Sequence, residues 1–314
     1  MARRKKGQQV DGWIILDKPL EISSTSALGR VRWLLDAQKG GHGGTLDPLA
    51  TGVLPLAFGE ATKTIPYILN AQKTYVFDVT FGTATNTDDV EGEVVESSDH
   101  LPKAEDIQNI LPQFTGDIEQ VPPAYSALKI DGERAYAKAR KGKEVVMKPR
   151  PVTIIELLFH GIEGNVATFE ATVSKGTYIR SLGRDIASAL GSCGHISRLR
   201  RIAIGPKEGK LTEKQAISLE DVEKKVASAG GKGHIPPHLL GAIDCLLDDI
   251  PAQEITPTEA QDLRLGKEIT LSQANNKKVV GLLRATNSAG QILSLLQVTE
   301  DGIAKVVRNF NANY

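Results

Sequence analysis

One carboxylate stands alone in a glycine-rich stretch of this 314-residue chain. The stretch GHGGTLDPLATGVLPLAFGEATK runs from Gly41 to Lys63, and Asp47 lies between a glycine cluster and a proline, with no second acid or cysteine beside it. An ionised aspartate can attack a glycosyl centre as a nucleophile. An aspartate before a proline is also typical of a capped turn. The stretch by itself leaves both interpretations open.

Two other kinds of chemistry use residues of these types. The glycines are typical of a phosphate cradle, but no Gly-Lys-Ser/Thr follows them, and a dinucleotide site needs a preceding strand and a following helix. Nucleotide binding is therefore the weaker interpretation. Glycoside hydrolysis needs two carboxylates. The second one has to come from elsewhere in the fold, and Asp88 and Asp89 are the candidates.

The composition is typical of a soluble globular protein. Hydrophobic residues make up 40% of the chain and charged residues 24%, and no apolar run approaches the roughly 20 residues that span a bilayer. The length favours two domains. Cys193 and Cys245 have neither metal-site nor disulfide-framework spacing, and the basic N-terminus lacks the apolar stretch of a secretory signal. These features predict a metal-free protein in a reducing cytoplasm.

Charge is segregated along a chain whose net charge is zero. Residues 129–150 contain eight basic and three acidic residues, and residues 175–210 contain eight basic and two acidic ones. Residues 78–106 contain nine acids and one lysine. Such segregation can attract a polyanion to one face of a neutral protein. Solvated faces that pair with each other explain the pattern equally well.

Periodicity predicts the elements that carry these residues. DGWIILDKP is typical of a short strand, and apolar residues three and four apart then indicate a helix that ends at Gly40 and Gly41. The glycine-rich stretch is expected to begin as a loop. In KTYVFDVTFGTAT, apolar residues alternate with polar ones, which predicts a strand with Tyr75 on its core-facing side. A later strand, a Ser-Lys-Gly turn and a helix place Tyr178 and Arg180 at the start of that helix.

Four ordered motifs resemble those of the TruB-type tRNA pseudouridine synthases. The resemblance covers roughly residues 10–220. The motifs are GHGGTLDPLATGVLPLAFGEATK (Gly41–Lys63), KTYVFDVTFGTATNTDD (Lys73–Asp89), VPPAYSALKIDGERAYAKARKG (Val121–Gly142) and SKGTYIRSLGRDIA (Ser174–Ala187). The resemblance implies an α+β fold with a central mixed, mostly antiparallel sheet flanked by helices and loops.

The resemblance also implies the domain organisation. Three short apolar runs near the C-terminus alternate with turn signals, which predicts a small β-rich domain there. The resemblance implies that this domain is similar to the PUA module. A stretch rich in glycine and lysine separates it from the catalytic part. The expected units are a basic flexible tail, a catalytic domain, a linker or insertion, and the C-terminal domain, at residues 1–9, 10–223, 224–238 and 239–314.

The reaction that the resemblance implies is the isomerisation of uridine 55 in the T-loop of tRNA to pseudouridine. Asp47 is then the catalytic nucleophile, and Arg180 is the cation that keeps this carboxylate charged when RNA excludes water. Tyr75 is the aromatic on which the flipped base stacks, and its phenol is a candidate acceptor for the C5 proton. Attack at C1′ of the ribose and attack at C6 of the base both stay open.

Other residues are implied to bind the substrate. Tyr178 packs against the pocket, and His42 enters the RNA loop in the space that the flipped base leaves. Leu199 lines the uracil pocket or belongs to the ordinary core, and Asp89 orders hydrogen bonds in the pocket. We expect Lys18, Lys129 and the basic helix that follows to contact phosphates, although Lys18 is also placed to brace the catalytic loop.

No metal or cofactor is expected, and the expected partner is the T-loop and T-stem of tRNA. We expect a cytoplasmic monomer that contacts no membrane and needs no protein partner. Two alternatives remain beside this prediction. One is a guide-RNA-dependent relative that acts on other RNA, and the other is an RNA-folding factor whose Asp47 is idle.

Overall fold

The computed structural model describes the parts of the chain at residues 7–125, 129–130, 133–134, 147–205, 211–271 and 280–311. The expected basic helix lies outside these ranges, and so do the first six residues of the expected basic tail. Lys129 is described only as part of a short strand, and its side chain lies outside the description. None of the described helices is long and apolar enough to cross a membrane.

Fourteen of the described strands precede residue 219, and ten of them form the central sheet. They are β1 (Gly12–Lys18), β2 (Gly40–His42), β3 (Ala50–Phe58), β4 (Lys73–Phe81), β5 (Thr83–Thr85), β6 (Val94–Ser97), β7 (Gly116–Gln120), β8 (Lys129–Ile130), β9 (Glu133–Arg134), β10 (Arg150–Glu163), β11 (Val166–Val173), β12 (Gly194–Ile204), β13 (Leu211–Thr212) and β14 (Ile217–Ser218).

The strand order of the central sheet is β14-β1-β3-β12-β4-β11-β10-β7, with β2 paired to β3 and β13 paired to β12. The pairs β1–β14 and β3–β12 are parallel, and the other pairs are antiparallel. The parallel pair β3–β12 joins two parts of the chain that are far apart in sequence, and this pairing brings the segment after Asp47 beside Leu199. The expected mixed, mostly antiparallel sheet is confirmed.

The described α-helices pack against this sheet and against the C-terminal sheet. The helix near Tyr178 has a buried stripe that includes Ile179, Leu182 and Ile186, as the sequence predicts. The six α-helices of the described residues are α1 (Ser24–Leu34), α2 (Ile65–Leu69), α3 (Ala104–Ile110), α4 (Ile179–Ala189), α5 (Leu219–Ser228) and α6 (Pro257–Arg264).

Helix α1 is shorter than the sequence predicts. It ends at Leu34 rather than at Gly40, and Asp36 has a left-handed backbone with φ of 48°. The residues from Gly40 to His42 then form β2, which pairs with β3 at Leu56 to Phe58. The expectation of a helix up to Gly40 and a loop after it is therefore wrong. Sheet pairing, which single-sequence periodicity does not contain, provides hydrogen-bond partners for this segment.

The C-terminal part forms its own five-stranded sheet. The order of its strands is β15-β17-β18-β19-β16. The three apolar runs that the sequence predicts as strands are confirmed as the three central strands. The five are β15 (Ala252–Glu254), β16 (Ile269–Thr270), β17 (Gly281–Thr286), β18 (Ile292–Val298) and β19 (Ile303–Asn309).

A shared apolar cluster joins this sheet to the central one. Trp13 of β1 and Phe310, which follows β19, belong to the same cluster and are 1% and 2% exposed. The Trp13 indole Nε1 donates to the Ile243 carbonyl at 3.0 Å. Helix α5 runs through residue 224, where the linker is expected to begin, and Val226 in the helix is buried. The boundaries at 223 and 238 stay a prediction.

The strand that follows the Asp47 loop approaches β12 very closely at Gly52. This residue has φ of +100°, and a Cβ atom there would lie 2.2 Å from the carbonyl oxygen of Arg201. Gly281 has a similar φ of +106°, but a Cβ atom there meets no described atom within 4 Å. The two glycines share a backbone conformation and differ in the space around them.

We expect Gly52→Ala to lower the free energy of unfolding by about 2 kcal/mol more than Gly281→Ala, because overpacking adds to the shared backbone strain. Chemical denaturation of the two variants and the parent protein measures this difference. Equal losses for the two variants would show that the approach to Arg201 imposes no constraint.

Candidate active site

The loop that carries Asp47 is held through its backbone. The Ser24 hydroxyl, at the start of α1, donates to the Leu46 carbonyl at 2.9 Å and accepts from the Leu46 amide at 2.7 Å. The Ala50 amide donates to the Asp47 carbonyl at 3.0 Å, which closes the turn through Pro48. In the structure Ser23 caps the helix, and Ser24 fixes the loop.

Lys18 supports the same loop from inside the protein. Its side chain is fully buried, and Nζ donates to the carbonyls of Pro19, Ile22 and Pro48 at 2.9, 2.7 and 3.3 Å. These three bonds match the three donors of an ammonium group. The expected phosphate contact is wrong, because a fully buried ammonium is out of reach of RNA. The alternative prediction, a brace for the catalytic loop, agrees with this geometry.

Burial also changes the acid–base behaviour of Lys18. It lowers the pKa of the Lys18 ammonium to about 8, while the negative charges of Asp47 and Glu91 favour the charged form and oppose the shift. The lysine therefore lies in the electrostatic field of Asp47 as well as beneath its loop. It stabilises both the position of the loop and the negative charge near it.

Arg180 forms an ion pair with Asp47. Its Nη2 lies 2.9 Å from Asp47 Oδ2. The arginine side chain is 5% exposed, whereas the aspartate side chain is 39% exposed. The pair thus has a buried cation on one side and a carboxylate that a substrate can reach on the other. This is the arrangement that a nucleophilic carboxylate requires.

The guanidinium of Arg180 is fixed by further partners. Nη1 lies 3.3 Å from Asp89 Oδ2 and donates to the Thr87 carbonyl at 2.9 Å. Nη2 also donates to the Tyr125 carbonyl at 2.9 Å. A buried charge is costly unless it is paired and hydrogen-bonded, and these contacts meet that need. They also determine the orientation in which Arg180 faces Asp47.

Asp89 is a buried acceptor that belongs to this network. Its side chain is 3% exposed, and Oδ1 accepts from the Thr87 hydroxyl at 2.6 Å and from the Glu91 amide at 3.1 Å. Its other oxygen faces Arg180. This position agrees with the expectation that Asp89 orders hydrogen bonds in the pocket. The group that Asp89 orders is Arg180.

A cavity of about 230 Å³ opens beside the carboxylate of Asp47. Five of the residues expected from the sequence line it, although they come from different elements. Its lining consists of Thr45, Leu46, Asp47, Ala50, Tyr75, Thr177, Tyr178, Ile179, Arg180 and Leu199.

The aromatic walls of the cavity come from two places in the fold. Tyr75 lies on β4 between Ala171 of β11 and Arg201 of β12, and it is half-buried against the core. Tyr178 directly precedes α4, where Gln120 binds its backbone: the Tyr178 amide donates to Oε1 at 2.8 Å, and Nε2 donates to the Tyr178 carbonyl at 3.1 Å. The sequence gives no indication of this role of Gln120.

Leu199 forms an apolar part of the lining. It lies on β12, paired with Ala50 of β3 on one side and Phe77 of β4 on the other, and it is 6% exposed. The residue therefore belongs to the core and to the cavity at once. The two interpretations that the sequence leaves open for Leu199 are compatible.

His42 lies outside the cavity lining, at the end of β2, where it pairs with Leu56. Its side chain is half-buried, and among the described residues Nδ1 has no hydrogen-bond partner although it is buried. Burial lowers the pKa of His42, and the positive charge of Arg201 lowers it further. The imidazole is therefore neutral near pH 7.

Arg201 is a residue of the site that sequence reasoning missed. It is 1% exposed, and it donates to the Val53 carbonyl from Nε at 2.8 Å and to the Gly44 carbonyl from Nη2 at 3.1 Å. Arg201 thus supports the glycine-rich stretch by binding backbone carbonyls at its start and in its middle. Its place two residues after Leu199, on the same face of a strand, is the signal that could have indicated it.

Solved structures show the class of this fold. A chain of an H/ACA RNP bound to a substrate RNA containing 2'-deoxyuridine aligns with a TM-score of 0.70 and 22% sequence identity, covering 100% of this chain and 92% of that one. A chain of a Cbf5-Nop10-Gar1 complex aligns with a TM-score of 0.70 and 25% identity, covering 95% and 84%. The fold is the pseudouridine synthase fold.

Sequence comparison then shows the family. The model of the TruB family pseudouridylate synthase N-terminal domain matches residues 32–179, and that of the tRNA pseudouridylate synthase B C-terminal domain matches residues 180–247. The tRNA pseudouridine synthase B of Caulobacter sp. (strain K31) is 44% identical, with 99% of each chain covered. That of Dinoroseobacter shibae is 48% identical, with 85% of each covered. The chain belongs to the TruB family of pseudouridylate synthases.

We expect His42 to titrate below the ordinary histidine value of 6.5, because burial and Arg201 both disfavour the imidazolium. An NMR titration of the histidine ring signals, assigned with a His42→Gln variant, measures this midpoint. A peptide of residues 39–46 is the unfolded control. A midpoint in the folded protein equal to or above that of the peptide would contradict the effect of burial and of Arg201 on this imidazole.

Proposed function

We propose that this chain isomerises uridine 55 in the T-loop of tRNA to pseudouridine, with Asp47 as the nucleophile. The observation that carries the proposal is the Arg180–Asp47 pair at 2.9 Å, which lies at a cavity also lined by Tyr75, Tyr178 and Leu199. Relatives that are 44% and 48% identical are named tRNA pseudouridine synthase B, which supports tRNA as the substrate class.

The reaction breaks the bond between N1 of uracil and C1′ of the ribose, and it forms a bond between C5 and C1′. The proton on C5 is lost and N1 gains one, so the substrate and product have the same composition. A charged carboxylate serves this reaction by adding to C1′ or to C6, and it leaves when the new bond is complete. Arg180 holds the Asp47 carboxylate in position for either addition.

The base must leave its helical stack before Asp47 can reach it. Tyr75 lines the cavity. In this proposal its ring is the aromatic face on which the flipped uracil stacks, and its phenol accepts the C5 proton. Tyr178 and Leu199 limit the space in which the detached base turns. A cavity that excludes water also protects the bond between enzyme and substrate from hydrolysis.

His42 enters the T-loop in this proposal. A neutral imidazole can stack among bases without bringing a buried charge into the RNA, and the lowered pKa of His42 favours that form. Lys129 and the basic segment after it remain the expected phosphate contacts, together with the C-terminal domain.

The remaining expectations belong to the same proposal. The enzyme acts as a monomer on the T-loop and T-stem, it needs no protein partner, and it works in the cytoplasm, where tRNA is modified. The likeness to chains of H/ACA complexes concerns the fold, and the relatives named for tRNA favour tRNA over guide-dependent substrates.

We expect Asp47→Asn to lower turnover by about a thousandfold or more, because the reaction loses its nucleophile. Tritium release from tRNA containing 5-³H-uridine measures this. Asp78→Asn is the matched control, since Asp78 also pairs with an arginine, Arg198, but lies away from the cavity.

Unchanged tritium release by Asp47→Asn would show that the nucleophile is another group. If the unmodified enzyme binds tRNA but releases no tritium, the chain is an RNA-folding factor whose Asp47 is idle.

We expect Arg180→Ala to lower turnover by about a hundredfold or more while tRNA affinity stays within about threefold, because Arg180 orients Asp47 rather than binding RNA. Filter binding measures affinity beside the tritium assay. If affinity falls in step with turnover, Arg180 is a phosphate contact.

A further inference from the structure

Two arginines on α4 face two consecutive aspartates of one turn. Arg180 and Arg184 are four residues apart, so they lie on the same side of the helix. Arg180 Nη1 lies 3.3 Å from Asp89 Oδ2, and Arg184 Nη1 lies 2.9 Å from Asp88 Oδ2. The site described above uses the first of these pairs. The second pair, Arg184 with Asp88, lies outside that site.

The backbone of the turn makes this double pairing possible. Asp88 has φ of +60°, a left-handed conformation that is uncommon for residues other than glycine. Such a conformation persists only where surrounding contacts enforce it. The Ile196 amide donates to the Asp88 carbonyl at 3.0 Å, and the Val90 amide donates to the Ile196 carbonyl at 2.9 Å. These bonds fasten the backbone of the turn to β12, and Arg184 binds its outward carboxylate.

Arg184 also holds a second segment that reaches Arg180. Its Nη2 donates to the Val121 carbonyl at 2.9 Å, and the Ser181 hydroxyl donates to the same oxygen at 2.8 Å. Four residues later, the Tyr125 carbonyl accepts from Arg180 Nη2. Arg184 therefore contacts two of the three segments that supply partners to Arg180, and the third segment carries Asp47.

We propose that Arg184 is a positioning residue for uridine isomerisation, acting through its pair with Asp88. The pair fixes the turn so that Asp89 and the Thr87 carbonyl bind Nη1 of Arg180 and leave Nη2 directed at Asp47. Arg184 does not line the cavity, and it touches neither Asp47 nor the position of the base. This inference rests on the proposed function, because it concerns the same reaction.

Loss of the pair has a definite physical consequence. The Asp88 side chain is 16% exposed, so without Arg184 its carboxylate is left poorly solvated and without its ion-pair partner. The left-handed turn then relaxes, and Asp89, the next residue, moves with it. A displacement of about 1 Å at a catalytic group is enough to reduce the rate by about a hundredfold.

A double-mutant cycle tests the proposal. We expect Arg184→Gln and Asp88→Asn each to lower kcat for tritium release by about tenfold or more, with KM for tRNA changed by less than about threefold. We expect the double variant to lose about as much as Arg184→Gln alone, because the pair with Asp88 is already absent in that variant.

Arg284→Gln is the matched control for a general loss of stability. Arg284 forms an ion pair of the same length, 2.9 Å with Asp244, and also donates to a backbone carbonyl, that of Ile250. Its side chain is 16% exposed, against 30% for Arg184, so its loss is at least as demanding a control for stability. Arg284 lies in the C-terminal part, away from Arg180. We expect a comparable fall in melting temperature with kcat within about twofold of the parent protein.

Three results overturn the inference. They are an unchanged kcat in Arg184→Gln, losses of the two single variants that add fully in the double variant, and an equal kcat loss in Arg284→Gln. If Arg184→Gln does not fold, Asp88→Asn carries the test, since it keeps a side chain of the same size. Absence of tritium release by the parent enzyme contradicts the proposed function, whereas release by the parent and full release by the variants contradicts only the role of Arg184.

Discussion

The site depends on one buried cation, Arg180, whose donors are shared among several acceptors. Arg180 is almost completely excluded from solvent, and a buried guanidinium is stable only when its donors are matched by acceptors. Four acceptors from distant parts of the chain meet around it, and they include the carboxylates of Asp47 and Asp89. Because these acceptors come from three segments, the Asp47 loop, the turn at Thr87 to Asp89 and the segment at Tyr125, the arginine does more than pair with one acid. It determines where these loops stand relative to the cavity.

Two sets of interactions position the Asp47 carboxylate. Lys18 and Ser24 bind backbone atoms of the loop and leave the Asp47 side chain free to turn. Arg180 binds the side chain and selects one orientation. Hydrogen bonds to charged groups contribute about 1.5–3 kcal/mol each. The bonds of Lys18 are therefore strong enough to hold the loop, and the pair with Arg180 is strong enough to hold the Asp47 side chain. The exposure of Asp47 on its remaining side is what leaves this carboxylate available for chemistry.

Sequence patterns predict the helices and strands well, but they predict the tertiary contacts between them poorly. Alternation in β4 correctly places Tyr75 at the start of a strand, and the stripe of α4 correctly places Arg180 at the start of a helix. The end of α1 was mispredicted because the following residues pair with β3, which is a tertiary interaction. Lys18 was expected at phosphates because charge alone does not show burial. Arg184 has no signal of its own, since the left-handed turn that presents its partner is visible only in three dimensions.

The most direct test of the account is the crystal structure of an Arg180→Met variant, determined together with its turnover. Methionine fills a similar volume without the guanidinium donors. The account predicts that the backbone of residues 45–49 stays in place, held by Lys18 and Ser24, while the Asp47 carboxylate leaves its position and turnover is lost. An Asp47 side chain in its original orientation with turnover retained would contradict the claim that Arg180 positions the Asp47 carboxylate.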